Sequence, residues 1–286
     1  MSENNTILTR FFSQNMLQKF TAPYEPSTDL MCSIVRRYAI PVNAGSTNGE
    51  IISEIYRYVG NAYRNEYFYK NTLLNKLIIN AHRINTTTAL TEVPISKSKA
   101  DFIMINGKAV VYEIKTELDS FDRLKTQLAD YYTAFDHVCV VTSESQLASL
   151  QAKLLDSPVG IYILTKRNTI HRVKEPEMFR DSLDLKHIFK ILNKPEYENI
   201  VQKLEGCLPD VTPVNYYKAC KDIICSHTID EVYPLFLKEL KRRNKITVCN
   251  YKAIPDALHF LIYFSKVKSD DTVNLQRFLL SQYKGG

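Results

Sequence analysis

Three charged residues stand where an apolar hairpin has no need of charge. The apolar segments Ala100–Ile105 and Ala109–Ile114 flank Asn106-Gly107, so the pattern predicts a β-hairpin. Asp101 opens the first segment, and the second closes on Glu113-Ile114-Lys115. Residues two apart on a strand share a face, which puts Glu113 beside Lys115. Charges on such a strand are costly to bury unless they pair or hold a metal. Two acids supply oxygen ligands for a hard divalent ion, and the lysine adds a cation next to them. That set suits phosphodiester hydrolysis: the metal activates water and offsets phosphate charge, while the lysine helps place the nucleophile. A surface hairpin with an exposed ion pair is the plain alternative for these three residues alone.

Strand register decides between the two. A two-residue turn at Asn106-Gly107 pairs Ile105 with Lys108 and Asp101 with Tyr112, which turns Asp101 away from Glu113. A three-residue loop, Ile105-Asn106-Gly107 with Gly107 left-handed, pairs Met104 with Lys108 and Asp101 with Val111. Asp101, Glu113 and Lys115 then share a face. The chemical reading therefore requires an odd loop or a bulge.

The elements that must position these residues follow directly. Between Asp119 and Phe135 the apolar positions Phe121, Leu124, Leu128, Tyr131, Tyr132 and Phe135 recur at helical steps, with Gln127 and Tyr131 one turn apart. An apolar strand, His137–Val141, comes next. Asp101, then Glu113-x-Lys115, then a helix bearing Gln127-x-x-x-Tyr131, then a strand: this order resembles the PD-(D/E)XK nuclease superfamily. The glutamine–tyrosine pair is similar to the branch related to the RecB nuclease domain. The wording VYEIKTELDSFDRLKTQLADY looks like a poorly characterised bacterial family within that superfamily. The proline expected before the first acid is replaced by Ala100.

The resemblance implies a restriction-endonuclease-like α/β core: helix, three-stranded antiparallel meander, helix, strand and closing hairpin. It implies a metal-dependent nuclease acting on nucleic acid, DNA rather than RNA, in phage defence or DNA repair. Mg2+ or Mn2+ would be held by Asp101 and Glu113, since octahedral Mg2+ takes few carboxylates and keeps several waters. Lys115 would orient or deprotonate the attacking water. Gln127 would orient water or a substrate phosphate, with Tyr131 beside it on the substrate side. A further acidic ligand on the preceding helix corresponds to Glu66, in RNEYFYKN. The resemblance also admits a homodimer, or a partner protein of a defence system. The alternative is a catalytically inactive nuclease-fold protein that binds nucleic acid or another protein. A pure interaction protein would leave the acids exposed and unclustered.

Other acids have plainer readings. Without the resemblance, Glu66 is a solvated first-turn glutamate pairing with Lys70 four residues on. Glu50 and Glu54 compete weakly as ligands, Glu92 reads as an edge-strand charge, and Asp119 and Asp122 read as helix caps. Lys166 and Arg167, with Arg172 and Lys174, could touch a phosphate backbone or simply line a solvated turn. Lys238, Lys241, Arg242, Arg243 and Lys245 form the densest basic cluster, which could grip phosphates or complement a helix C-terminus. Cys220, Cys225 and His227 lack zinc-site spacing and a fourth ligand.

Composition bounds the rest. The 286 residues are 45% hydrophobic, enough for an α/β domain and a smaller companion. A net charge of +6 permits nucleic-acid binding without demanding it. Six irregularly spaced cysteines suggest free thiols in a reducing cytoplasm. No apolar run is long enough to span a membrane, so no membrane partner is expected. Gly45-Ser46-Thr47-Asn48-Gly49 reads as a linker. The expected organisation is an N-terminal helical arm over 1–45, the nuclease-like core over 46–176 and an α-helical C-terminal domain over 177–286. Helices are expected at Asn65–Ala81, Ser182–Leu192, Glu196–Leu204, Val214–Cys225, Ile229–Arg243, Ile254–Val267 and Asp271–Gln282.

Overall fold

A computed structural model of the chain describes residues 6–24, 27–81, 85–243, 251–265 and 268–285. In chain order these form α1 (Thr6–Phe11), α2 (Gln14–Phe20), α3 (Asp29–Tyr38), α4 (Asn48–Ala62), α5 (Glu66–Leu74), β1 (Thr88–Ile95), β2 (Ser98–Asn106), β3 (Lys108–Ile114), α6 (Leu124–Tyr132), β4 (Val138–Ser143), α7 (Leu147–Lys153), β5 (Gly160–Leu164), β6 (Ile170–Lys174), α8 (Leu185–Ile191), α9 (Lys194–Glu205), α10 (Pro213–Ser226), α11 (Ile229–Arg242), α12 (His259–Tyr263) and α13 (Ser269–Leu280). The fold is mixed α/β. Its six strands form one sheet in sequence order, β1 to β6.

Two compact units divide the chain, and the division differs from the expected 45 and 176 boundaries. One unit takes residues 1–84, 164–170 and 246–286; the other takes 85–163 and 171–245. Local physics explains both differences. The stretch expected to be a linker starts α4 instead: Thr47 accepts a hydrogen bond from the Glu50 amide, and Glu50 accepts one from the Thr47 amide, a reciprocal cap. Asn48 then donates to the Phe278 carbonyl at 3.1 Å and the Ser281 hydroxyl at 2.9 Å. Those contacts enrol the C-terminal segment in the first unit.

The boundary expected at 176 fails for a different reason. Ile188, Phe189, Ile200, Val201, Ile224, Val232 and Phe236 of α8–α11 share one buried cluster with Val111, Val138 and Val140 of the sheet. Helices whose apolar stripes close on the sheet cannot form a separate core.

Within the second unit β1 and β2 pair antiparallel, as do β2 and β3, whereas β3 and β4 are parallel. Parallel strands need a crossover, and α6 supplies it. On one sheet face Ile103, Ile105, Ala109 and Val111 pack with Leu124, Leu128, Tyr131, Tyr132 and Phe135 from α6 and its exit. Phe102, Tyr112 and Tyr162 meet edge-on, at centroid distances of 6.1 and 5.7 Å.

The hairpin register matches neither loop anticipated from sequence. Asn106 pairs with Lys108, Ile105 with Ala109 and Phe102 with Tyr112. Gly107 alone turns the chain, at φ +78°, a conformation that glycine adopts without steric cost. Carried one residue further, this register sets Asp101 opposite Glu113, on the α6 face. The parity is that of the three-residue loop, although the partners differ.

Candidate functional site

The C-terminal end of β3 delivers two buried charges. Glu113 is 2% exposed and Lys115 8%. Lys115 Nζ lies 2.9 Å from Glu113 Oε1 and donates to Gln127 Oε1 at 2.8 Å. Gln127 returns a hydrogen bond to Glu113 Oε1 at 2.5 Å, and the Tyr131 hydroxyl donates to Glu113 Oε2 at 2.5 Å. The four side chains form a closed network between β3 and one face of α6. The spacing of Gln127 and Tyr131 by one helical turn makes this possible. The backbone is pinned as well: the Lys115 amide donates to the Val141 carbonyl at 2.9 Å, and the Thr142 hydroxyl donates to the Lys115 carbonyl at 2.9 Å.

Asp101 approaches from β2, half-buried, and its Oδ2 accepts the Ile114 amide at 2.8 Å. Burial is the largest influence raising the Tyr131 phenol well above its ordinary range, followed by the charges of Glu113 and then Asp101. Both carboxylates therefore act on one hydroxyl. Tyr131 itself is fully buried, and its hydroxyl meets Glu113 Oε2 and the Lys99 carbonyl.

Glu92, an edge charge on its sequence pattern, does pair with Lys99 at 2.5 Å, both residues being exposed. Yet it sits on β1 at φ +56°, and its carboxylate comes within 4.8 Å of that of Asp101. A left-handed residue that is not glycine or asparagine is rare in a strand. No sequence signal announces that conformation, which explains why the spacing leaves Glu92 out of the site.

The remaining expected ligand and contact residues sit on other elements. Glu66 opens α5 in the first unit, exposed, with Lys70 Nζ 2.5 Å from its Oε1. Lys166 and Arg167 are exposed at the β5–β6 turn, on the segment that belongs to the first unit. Asp119 caps a loop, its Oδ2 accepting from the Thr116 amide and hydroxyl, each at 2.8 Å. His227 Nε2 lies 2.8 Å from Glu205 Oε1.

The arrangement can hold a hard cation. Its donors are carboxylate oxygens, each able to accept twice. At Glu113 the load is uneven: Gln127 and Lys115 meet Oε1, while Tyr131 donates to Oε2. Lys115 places a fixed positive charge at the same spot.

A search of solved structures finds the SPO1766 protein of unknown function from Silicibacter pomeroyi, at 17% identity and a TM-score of 0.29, covering 38% of this chain and 69% of that one. Among curated proteins none matches. No helix among the described residues is long and apolar enough to cross a membrane. The family model described as bacteriophage P4 protein cII matches residues 60–261, more than half of the chain, including the whole network around Glu113. The chain is thus a member of the bacteriophage P4 protein cII family.

Proposed function

We propose that this protein is a metal-dependent nuclease with a restriction-endonuclease-like core in its second unit, acting on DNA. One observation carries the reading: Asp101, Glu113, Lys115 and Gln127, far apart in kind from an ordinary strand surface, gather at the shared end of β2, β3 and α6. Mg2+ or Mn2+ would be held by Asp101 and Glu113, and when bound would supply water activation and charge neutralisation at the scissile phosphate. Tyr131 and Gln127 fix the Glu113 carboxylate in one orientation. Lys115 brings a cation to where phosphate charge develops, and a preorganised charge needs no rearrangement during reaction. Glu92, next to Asp101, is a further oxygen donor at the solvent side.

A second reading has its own support. Glu113 is almost wholly buried and both its oxygens already accept internal hydrogen bonds. A site so completed could be structural, leaving a nuclease-fold protein that binds nucleic acid or a partner without turnover.

Labelled single- and double-stranded DNA and RNA, incubated with the full chain in Mg2+, Mn2+ or EDTA, separate the two. Cleavage is expected with either metal, none in EDTA, and none by Asp101→Asn. That variant keeps an acceptor for the Ile114 amide, so its melting temperature should match the parent. Equal cleavage in EDTA, or an active Asp101→Asn protein, would refute the nuclease reading; binding without cutting under every condition would favour the second.

A further inference from the structure

The other end of β3 opens on a different surface. A cleft of about 470 Å³ is lined by Lys108 at the start of β3, His137 at the start of β4, Arg180, and Lys238 and Lys241 on α11, with Tyr233 and Leu237 among its apolar walls. Lys108, Lys238 and Lys241 are exposed, and among the described residues none of them forms an ion pair. Lys238 and Lys241 are three residues apart, so they project from one side of α11.

The basic cluster legible in the sequence is divided by the fold. Arg243 is spent on structure, its guanidinium bonding Glu196 Oε1 and Oε2, each at 2.6 Å, and the Ile191 carbonyl at 2.7 Å. Arg242 bonds the buried Glu239 at 2.7 Å. Lys245 lies outside the described residues. Lys238 and Lys241 are left to the cleft, joined there by Lys108 from a strand 130 positions earlier in the sequence. Arg180 is divided between Asp136 and Asp230, at 3.2 and 3.0 Å, so its charge is already engaged. His137 is fixed through Nδ1 by Asp136 at 2.8 Å, so its other ring nitrogen is the polar atom left for the cleft.

Like charges crowd nearby. Lys203 of α9 lies against Lys238, whose ammonium holds the Lys203 amine below the usual lysine range. Positive charges packed this way repel unless an anion joins them. We infer that the cleft between Lys108, Lys238 and Lys241 is a phosphate-backbone anchor for nucleic acid, separate from the site at Glu113. Along β3 the five steps from Lys108 to Glu113 span about 17 Å at 3.3–3.4 Å per residue, comparable with roughly five base-pair steps of duplex. The anchor contacts backbone and not bases, so it confers affinity without sequence preference. It does not require the nuclease reading to be correct, since binding here needs no metal.

The test uses the full chain in EDTA, with a fluorescein-labelled 30-mer DNA as single strand and as duplex, read by anisotropy across a salt series. Replacing Lys108, Lys238 and Lys241 together by Glu should weaken binding on the order of 10- to 100-fold, and replacing them by Gln should reduce the salt slope by about 3, one for each phosphate contact. A comparison triple at exposed positions on α8 and α10, Lys186, Lys190 and Lys218 to Glu, makes the same net-charge change. It should weaken binding by no more than ~3-fold if contacts and not bulk charge decide. Equal loss in both triples, or no loss in either, would overturn the proposal. So would poly-glutamate binding that the first triple abolishes while DNA is ignored, which would assign the cleft to an acidic protein. Because anisotropy is read in EDTA, where no cleavage is expected, loss of anchoring is told apart from loss of cleavage.

Discussion

Two buried carboxylates in the same unit have opposite kinds of partner. Glu113, 2% exposed, takes its side-chain hydrogen bonds from Gln127 and Tyr131, 14 and 18 residues away, and has a second carboxylate, Asp101, close by. Asp136, 3% exposed, is bonded by Tyr233 at 2.8 Å and Arg180 at 3.2 Å, 97 and 44 residues away, and by His137 next to it. The Asp136 carbonyl also accepts the Phe179 amide at 2.9 Å. Asp136 ties distant segments together, whereas Glu113 is tied within one β-α crossover. A buried acid that spends its bonds on long-range closure is a staple. One held locally beside another acid is dispensable to topology and free to serve chemistry.

Substitutions can break that contrast, and the largest effect should come from the local cluster. If the nuclease reading holds, Lys115→Ala should lower the single-turnover cleavage rate ~100- to 10,000-fold at saturating Mg2+, the usual range for a positioned acid–base or charge-stabilising group. A rate within a few fold of the parent would remove Lys115 from the site. Next comes Asp136→Ala, which removes the acceptor of the buried Tyr233 hydroxyl and one of the two carboxylates that Arg180 bonds, and should cost about 1–3 kcal/mol of stability, as leaving a buried donor unsatisfied does. Denaturant titration of the purified chain reads this directly. A midpoint unchanged from the parent would show that Asp136 is no staple.

Gln127→Ala should sit lower. Gln127 touches Lys115 and Glu113 but is proposed to hold them and not to meet the ion, so about 10- to 100-fold in rate is expected, with metal affinity little changed. A variant as inactive as Lys115→Ala would move Gln127 into direct contact with the reacting groups.

The smallest effect is a pH dependence. Burial alone would raise the Asp136 carboxyl, but hydrogen bonds from His137, Tyr233 and Arg180, with the His137 charge, outweigh it and hold the group below its ordinary value. A carboxyl depressed in the fold stabilises it fully above the unfolded value of about 3.9 and loses that contribution as pH falls through the folded value. The gap in stability between the parent and Asp136→Asn should therefore be constant above pH ~4 and narrow below it. Thermal melts at pH 2 to 6 check this, and a gap that widens on acidification would contradict the sign.

The same contrast marks what the sequence disclosed. The Glu113 cluster is legible because it is local: Gln127 and Tyr131 follow from helical spacing, and Glu113 and Lys115 from strand spacing. The placement of Asp101 depends on one turn, and parity alone can be read, since the left-handed Gly107 is foreseeable but its pairing of Asn106 with Lys108 is not. The tie from Asp136 to Tyr233 leaves no trace, because contacts 97 residues apart carry no periodic signature. For the same reason a boundary drawn at 176 misses the shared core of α8–α11 with the sheet. Glu66 shows the local case again: its i,i+4 spacing to Lys70 is visible in the sequence, and that pair forms.

The first unit joins residues from both ends of the chain, and that has a consequence for biosynthesis. Asn48 finds its acceptor 230 residues later, at Phe278. At a translation rate of 5–20 residues per second, α4 waits roughly 10–50 s before α13 exists to cover it. During that interval Ile51, Ile52 and Ile55, all fully buried in the finished protein, have no C-terminal partner. The second unit is complete by Lys245 and can fold on the ribosome meanwhile. Nascent-chain lengths ending before Ser269 should therefore protect the Glu113 network from protease while leaving α4 open to cleavage and to chaperone capture.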